Sequence, residues 1–487
     1  MCETIDPSQF CNEPPMPRAA TASTHESLLG ALSARLGADA VLAGPHIPAR
    51  NDNDHSSLPP ARPLAVLRPS DTAGVAAAMR LCHQQGQTVV PQGGLTGLCG
   101  GARAIEGAMA LSLERLVGIE EVDPSSATIT VRAGTPLQAV QQAADEAGFF
   151  FPLDLGARGS CAIGGNLSTN AGGNRVIRYG MARESVLGLE VVLPDGTVVD
   201  CMNKMLKNNA GYDLKHLFIG SEGTLGIITR AVLRMFPKPA CTMAALCAVK
   251  NFDHVITLLR SARQNVGPLL SAFEVMWPDY WAVATGRVKG VRNPFAGSDH
   301  GVYVLVEALG TDPEGDPQRF EAWLMGLLES GALPDAAVAQ SVADVQAFWG
   351  VRDACAEFYQ PPVIGPHLAF DIGLPVDAMA RYRDECKAAL AEHIPGCQSV
   401  FYGHIGDGNM HLLAWVPGAH EQPEEAVDEV IYGLVRKYHG TVSAEHGIGT
   451  LKKRWLGHAR TPEQIALMRI LKQALDPRNL LNPGKVI

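Results

Sequence analysis

The sequence predicts an α+β fold divided into more than one domain, and three observations carry that prediction. Short runs with strand character are interleaved with helices that bring their own start and stop signals. The chain has 487 residues, too many for one ordinary core and in line with about three domains. A proline-marked break at "RMFPKP", around Pro237 and Pro239, separates two regions that each mix strands with helices.

Taken in order, the elements begin with an N-terminal tail and lead-in helix over residues 1–59. The tail's early acids and prolines match neither a secretory signal nor an Arg-rich transit peptide. "PLAVLRP" reads as a strand, and Ser70 is the expected cap of the helix in "DTAGVAAAMRLCHQQG", which Gly86 stops. "TVVPQGG" is a strand that runs into a glycine loop. After the strand "ITVRAG", Thr135 is the expected cap of a helix with Pro136 at its first position, ending at Gly148. "LEVVLPDGTVVDC" reads as a hairpin with Asp195-Gly196 as a two-residue turn. Beyond the break, "GVYVLVEALG" and "HLAFDIGLPV" are strands, while "QRFEAWLMGLLES" and "VDAMARYRDECKAALAEHI" are amphipathic helices. The last helix opens at Thr461 and stops at Asp476-Pro477.

A hydrophobic fraction of 46% with 18% charged residues reads as soluble and globular. The net charge of −10 excludes a phosphate-backbone partner, so no nucleic acid is expected. No apolar run approaches the ~20 residues of a transmembrane segment. The 11 cysteines form no CxxC pair, which points to reduced thiols in a cytoplasmic setting.

Three glycine-rich stretches stand in the first region: "PQGGLTGLCGGA" (91–102), "PLDLGARGSCAIGGNLSTNAGG" (152–173) and "GSEGTLGIIT" (220–229). Without Cβ atoms, such loops can turn successive N–H groups toward an anion. None matches GxGxxG opening a helix in a βαβ unit, which counts against a simple nicotinamide enzyme. One such loop reads as an ordinary turn; three favour a large, main-chain-held cofactor.

In this order, the stretches resemble those of the vanillyl-alcohol oxidase-type FAD proteins. Within them they are similar to the D-2-hydroxyacid dehydrogenase branch, which includes D-2-hydroxyglutarate dehydrogenase, D-lactate dehydrogenase and the FAD subunit of glycolate oxidase. The resemblance covers roughly residues 60 to 487. It implies a FAD-binding domain of two α+β subdomains (60–240), an α+β substrate-binding cap (241–445) and a C-terminal helical segment (446–487) returning to the flavin. Carried over, the pyrophosphate loop is Pro91, Gly93, Gly94, Leu95, Thr96 and Gly97. Asp154, Gly159, Ser160, Gly164, Gly165, Thr169, Asn170, Gly172 and Gly173 add further contacts, and Glu222, Gly223, Ile228 and Asn482 approach the flavin itself. Relatives that tether FAD covalently often use a histidine near that loop; this one has none, so non-covalent FAD is expected.

In the second region stands "FYGHIGDGNMHLLAW" (401–415), followed by "SAEHGIGT" (443–450). Two strands joined through Gly406-Asp407-Gly408 can bring His404 and His411 together at one end of a sheet. Two imidazoles plus the Glu445 carboxylate, with an open position, suit a catalytic divalent metal, Zn²⁺ above others. By spacing alone, a structural role for these histidines stands beside the metal reading. The family pattern, "GHxGDGNxH" and "xEHG", is similar at all four positions. It implies His404, His411 and Glu445 as metal ligands and His446 as the base that contacts the substrate. The metal would lower the pKa of the 2-hydroxyl, His446 would take its proton, and the C2 hydride would go to FAD. The resemblance assigns Arg352, in "FWGVRDACAEFY", to the substrate carboxylate; from the residues alone it can also be a solvated helix arginine paired with Asp353 or Glu357.

The departures concern substrate. The hydroxyglutarate enzymes carry a lysine where Ala369 stands, a serine or threonine at Ala356 and an asparagine at Leu413. His367 is a candidate stand-in for the lysine. These losses point to a D-2-hydroxy acid with a neutral or apolar side chain, D-lactate-like, with D-2-hydroxyglutarate as the alternative. An electron-transferring flavoprotein or a quinone is the expected acceptor, and a homodimer is compatible. Two other readings compete: the FAD subunit of a multi-chain oxidase complex, and a metal-dependent hydrolase that leaves the glycine loops unused.

Overall fold

The computed structural model describes residues 22–487, so residues 1–21 of the expected N-terminal tail lie outside the described residues, and the lead-in helix is Ala22–Leu36. Two compact units share the chain. The first takes the described residues up to Gly173, Met181–Pro237 and Glu445–Ile487; the second takes Asn174–Gly180 and Lys238–Ala444. The expected divisions differ from this partition at three points. Residues 22–59 belong to the first unit, because Val41–Ala43 is an edge strand of its sheet. The switches fall after Pro237 and Ala444 instead of after 240 and 445. Asn174–Gly180 belongs to the second unit, where Arg175 meets the buried carboxylate of Glu307 and Arg178 donates to the Leu269 and Leu309 carbonyls.

The first unit contains two main sheets. One has four strands, ordered Val41–Ala43, Ala65–Leu67, Met109–Ser112, Val89–Gln92, the last three mutually parallel. The other has five antiparallel strands, ordered Ile119–Asp123, Thr128–Arg132, Ile227–Arg234, Val186–Val192, Val198–Cys201. Strands such as Ala65–Leu67 are wholly buried and read as continuous apolar runs, as parallel strands covered on both faces do.

Three local signals differ from expectation. Asp71, not Ser70, caps the helix Thr72–Gln85, accepting from the Gly74 amide at 2.7 Å; Ser70 stands one residue too early to reach that amide. Pro136 occupies the cap position of Leu137–Glu146, while the Thr135 hydroxyl binds the Gly118 backbone at 3.0 and 3.2 Å. The 186–201 hairpin turns through three residues, Pro194-Asp195-Gly196. Gly196 N donates to Leu193 O and Leu193 N to Thr197 O, both at 2.9 Å, with Gly196 at φ +85°. At Thr461 the expectation is met by a full capping box with Gln464.

The second unit is built on one seven-stranded antiparallel sheet, ordered Asp335–Val338, Cys241–Val249, Val302–Gly310, Leu270–Met276, Gln398–Gly403, Asn409–Trp415, Leu368–Gly373. Tyr303, Met276, Tyr402, Val400 and Leu413 share one face and pack with Tyr280 and Trp281 of the helix Pro278–Arg287. Trp281 stacks on Tyr303 at 3.9 Å and Tyr280 lies 4.5 Å from Tyr402. Along one margin of this apolar face runs a polar row.

Candidate active site

Register sets the polar row. Asp371 pairs with His411, His411 with Tyr402, and Val275 with Gly403, which puts Glu274 opposite His404. Glu274, Asp371, His404 and His411 are all buried. The His404 and His411 rings stand 5.2 Å apart, edge to face. The strand–turn–strand read from the sequence therefore does bring the two imidazoles together. Its turn is a 3-10 segment, Ile405–Asp407, closed by Gly408 at φ +93°.

Glu274 Oε1 lies 2.7 Å from His404 Nδ1, and Oε2 accepts from Arg352 Nε at 2.9 Å. Arg352 Nη2 lies 2.9 Å from His404 Nε2 and Nη1 reaches Asp353 at 3.3 Å. Arg352 is thus a buried arginine inside the imidazole cluster, not a solvated one. The Tyr280 hydroxyl donates to its carbonyl, anchoring the end of the helix Val342–Arg352. Burial pushes the Glu274 carboxyl up, but His404 and Arg352 beside it outweigh burial and hold it at about 2, against an ordinary 4.5. Its stabilising contribution is therefore complete above about pH 4.5 and lost as pH falls through about 2. Urea unfolding between pH 5 and 3 is expected to show stability falling with pH in the wild type and a flatter profile in Glu274→Gln.

Asp371 anchors the approach to Glu445. Its Oδ1 accepts from Asn409 Nδ2 at 2.8 Å, and its Oδ2 accepts from Ser443 Oγ at 3.2 Å and the Ala444 amide at 3.0 Å. Glu445 and His446 follow Ala444 directly and open the last segment of the first unit. There the Glu445 side chain lies over Gly172: a Cβ on that glycine would fall 2.4 Å from Oε1.

The predicted substrate positions separate. Ala369 pairs directly with Leu413, one step along the same face from Asp371 and His411. Ala356 lies in the 3-10 turn Asp353–Glu357 that follows Arg352. His367 is buried, its Nδ1–H on Gly365 O at 2.9 Å and its ring 3.9 Å from Tyr359. Burial pushes its pKa down, so it is a neutral imidazole and does not replace a lysine's charge.

In the first unit, the glycine loops meet in tight backbone contacts. A Cβ on Gly94 would fall 2.1 Å from Ser160 O, one on Gly173 2.4 Å from Asp154 O, and one on Gly164 2.7 Å from Ala133 Cβ. Gly93 faces Ala162 and Gly165, Gly97 faces Asp54, Gly159 faces Gln138, and Gly223 sits against Pro91. Thr169 Oγ1 bonds Gly165 O, Ser160 Oγ bonds Ala157 O, Asp154 pairs with Arg158, and Ile228 is buried in its strand. Of eight non-glycine residues at positive φ among those described, four are predicted cofactor positions: Leu95, Asn170, Glu222 and Asn482. Such strain collects where a fold holds a ligand.

Glu222 ties this unit's last segment in place. Its carboxylate accepts from the Ile448 and Gly449 amides at 2.6 and 2.8 Å, and its carbonyl accepts from Asn482 Nδ2 at 2.8 Å. Asn482 Nδ2 also donates to Gly101 O, while the buried Asn482 Oδ1 and Asn166 Oδ1 accept nothing from protein. Buried acceptors of this kind, beside loops that only glycine permits, fit a cofactor bearing N–H and phosphate groups. Lys485 was not singled out from the sequence: its ammonium donates to the Gly100 and Arg103 carbonyls, and burial pushes it down to about 8. Glu274 and Asp371 were missed too, because each is a single acid in an apolar strand whose partners are distant in sequence. No helix among the described residues is long and apolar enough to cross a membrane.

Comparison with known proteins agrees with this layout. Residues 63–202 match the FAD binding domain model, and residues 238–486 match the C-terminal domain of FAD linked oxidases. D-2-hydroxyglutarate dehydrogenase from Xanthomonas citri pv. viticola is 39% identical over 432 residues, covering 87% of this chain and 89% of that one. The mitochondrial D-2-hydroxyglutarate dehydrogenase of Arabidopsis thaliana is 37% identical over 424 residues, 87% of this chain and 74% of its own. p-Cresol methylhydroxylase with substrate bound shares the fold, with a TM-score of 0.78 at 17% identity over 97% of this chain and 98% of that one. The sequence therefore belongs to the FAD-linked oxidases, in their D-2-hydroxyacid dehydrogenase branch.

Proposed function

We propose that this enzyme oxidises a D-2-hydroxy acid with a neutral or apolar side chain, D-lactate-like, to the 2-oxo acid. The observation that carries the reading is the sheet face on which His404, His411 and Arg352 gather beside the pair Ala369–Leu413. A second substrate carboxylate would find a neutral His367 and a Leu413 there instead of a charged or hydrogen-bonding partner.

FAD, held non-covalently by the loops around Gly93, Gly94, Gly164, Gly165 and Gly173, would supply the two-electron acceptor for the C2 hydride. A divalent cation on His404, His411 and Glu445 would supply a Lewis acid for the 2-hydroxyl, and two imidazoles with one carboxylate suit Zn²⁺. The chain's own groups do the rest. Arg352, its Nε held by Glu274, has a second N–H on each of Nη1 and Nη2 to offer to the substrate carboxylate. His446 takes the hydroxyl proton, in a backbone fixed three residues on by the Glu222–Gly449 bond. An electron-transferring flavoprotein or a quinone then takes the electrons onward.

D-2-hydroxyglutarate is the second reading, favoured by the names of the relatives. The test is anaerobic bleaching of the flavin bands with D- and L-2-hydroxy acids in turn. D-Lactate or a larger apolar D-acid is expected to bleach them; bleaching by D-2-hydroxyglutarate alone would sink the side-chain assignment. Ala369 is exposed and can accept a longer side chain. Ala369→Lys is expected to improve KM for D-2-hydroxyglutarate about tenfold, the factor that 1.4 kcal/mol represents.

A further inference from the structure

His404 of the sheet and Arg352 at the end of the helix Val342–Arg352 converge on Glu274. Its carboxylate is divided, Oε1 at 2.7 Å from His404 Nδ1 and Oε2 at 2.9 Å from Arg352 Nε, and Arg352 Nη2 closes the ring on His404 Nε2 at 2.9 Å. A guanidinium is a donor only and does not lose its proton. His404 Nε2 must therefore accept, and the ring proton sits on Nδ1, where the carboxylate receives it. We propose that Glu274 is a positioning residue that fixes His404 as the Nδ1–H tautomer and so directs the Nε2 lone pair toward a cationic partner. Arg352 is that partner here, and a metal ion would compete for the same lone pair. The metal half rests on the reading of His404 as a ligand given above.

The same carboxylate sets both groups, so one substitution has a specific chemical consequence. In Glu274→Gln a single oxygen remains. Arg352 Nε–H, permanently protonated, claims it, because the amide NH₂ would face that donor with a donor. The NH₂ then points at His404 Nδ1, which must become the acceptor, and the ring proton moves to Nε2. There it opposes Arg352 Nη2 and removes the lone pair a cation needs. Carboxylates that orient ligating imidazoles in this way typically affect metal affinity by about 10- to 100-fold.

Glu307 provides the comparison. It lies on the same sheet and is equally buried, at 1% exposure for each residue. It accepts from Arg175 Nε at 3.1 Å, Ser271 Oγ at 2.8 Å and Trp349 Nε1 at 2.9 Å, with no imidazole among these partners. Glu307→Gln carries the cost of altering a buried carboxylate without touching His404.

The experiment uses the full chain, ¹⁵N-labelled at histidine, with the His404 signals identified by their loss in His404→Gln. In the metal-free wild type, the imidazole ¹⁵N shifts are expected to show a protonated Nδ1 and an unprotonated Nε2. Glu274→Gln is expected to exchange the two, and calorimetric titration with Zn²⁺ to show affinity about 10- to 100-fold weaker. Glu307→Gln should leave both unchanged even if it lowers Tm. A wild-type His404 protonated at Nε2 overturns the proposal without any variant. So does a folded Glu274→Gln that keeps its Nδ1 proton. If the tautomer exchanges but wild type binds no Zn²⁺, the positioning role stands and the metal reading falls.

Discussion

Replacing His446 with glutamine is expected to lower kcat by about 10²- to 10⁴-fold, the range a positioned general base contributes. The backbone on either side is held by groups other than the imidazole. The Ala444 amide binds Asp371 at 3.0 Å, and the Ile448 and Gly449 amides bind Glu222 at 2.6 and 2.8 Å. Gly447, at φ +81°, makes the turn between them. Removal of the side chain should therefore leave the main chain where it is, and the loss should be chemical. Stopped-flow bleaching of the flavin at saturating hydroxy acid measures this, with the oxidised flavin spectrum as the check on folding. A rate within a few-fold of wild type would place the base elsewhere.

Alanine at Gly94 is expected to abolish flavin retention and to destabilise the first unit by about 1–3 kcal/mol, the usual cost of overpacking. The new methyl would meet three atoms of the 160–162 backbone, Ser160 O at 2.1 Å, Cys161 Cα at 2.7 Å and Ala162 N at 3.0 Å, so no side chain can step aside. Gly165 makes the matched partner. It lies inside the helix Ile163–Thr169, and a Cβ there meets no protein atom within 4 Å. Gly165→Ala should keep or slightly raise Tm, since alanine favours a helix, while weakening FAD binding. Thermal unfolding and flavin content of the two variants together separate a loop that shapes the fold from one that receives the cofactor. Full flavin content in Gly165→Ala would remove that residue from the cofactor site.

The sequence carried the fold wherever the signal was local. Strand runs and the helix start at Thr461 appear in the structure, and the chain changes units within the proline-marked stretch around Pro237 and Pro239. It misled where a residue's partner was not its neighbour. Thr135 resembles a helix cap but spends its hydroxyl on Gly118. The hairpin at Asp195-Gly196 needed one more residue, Pro194, to close. The imidazoles of the site were legible because a glycine turn puts them within eight residues of each other. Glu274 was not, since 130 residues separate it from His404, and one acid in "SAFEVM" carries no pattern. Arg352 read equally well as solvated until its burial beside that acid was known.

The chain enters and leaves the first unit repeatedly, and its final segment is part of that unit's fabric. Val89 bridges Leu481 in parallel, with Val89 N on Leu480 O and Asn482 N on Val89 O, both at 2.8 Å. During synthesis, at about 5–20 residues per second, the strand at Val89 waits tens of seconds for that neighbour to be made. The block from Lys238 to Ala444 can meanwhile close its own sheet as one continuous stretch. The nascent protein therefore holds glycine-rich loops without this tether until Leu480 to Asn482 are made, and a chain that stops short of them leaves the first unit unfinished while the second is complete. Truncation from the C-terminus should be far more damaging than its length suggests.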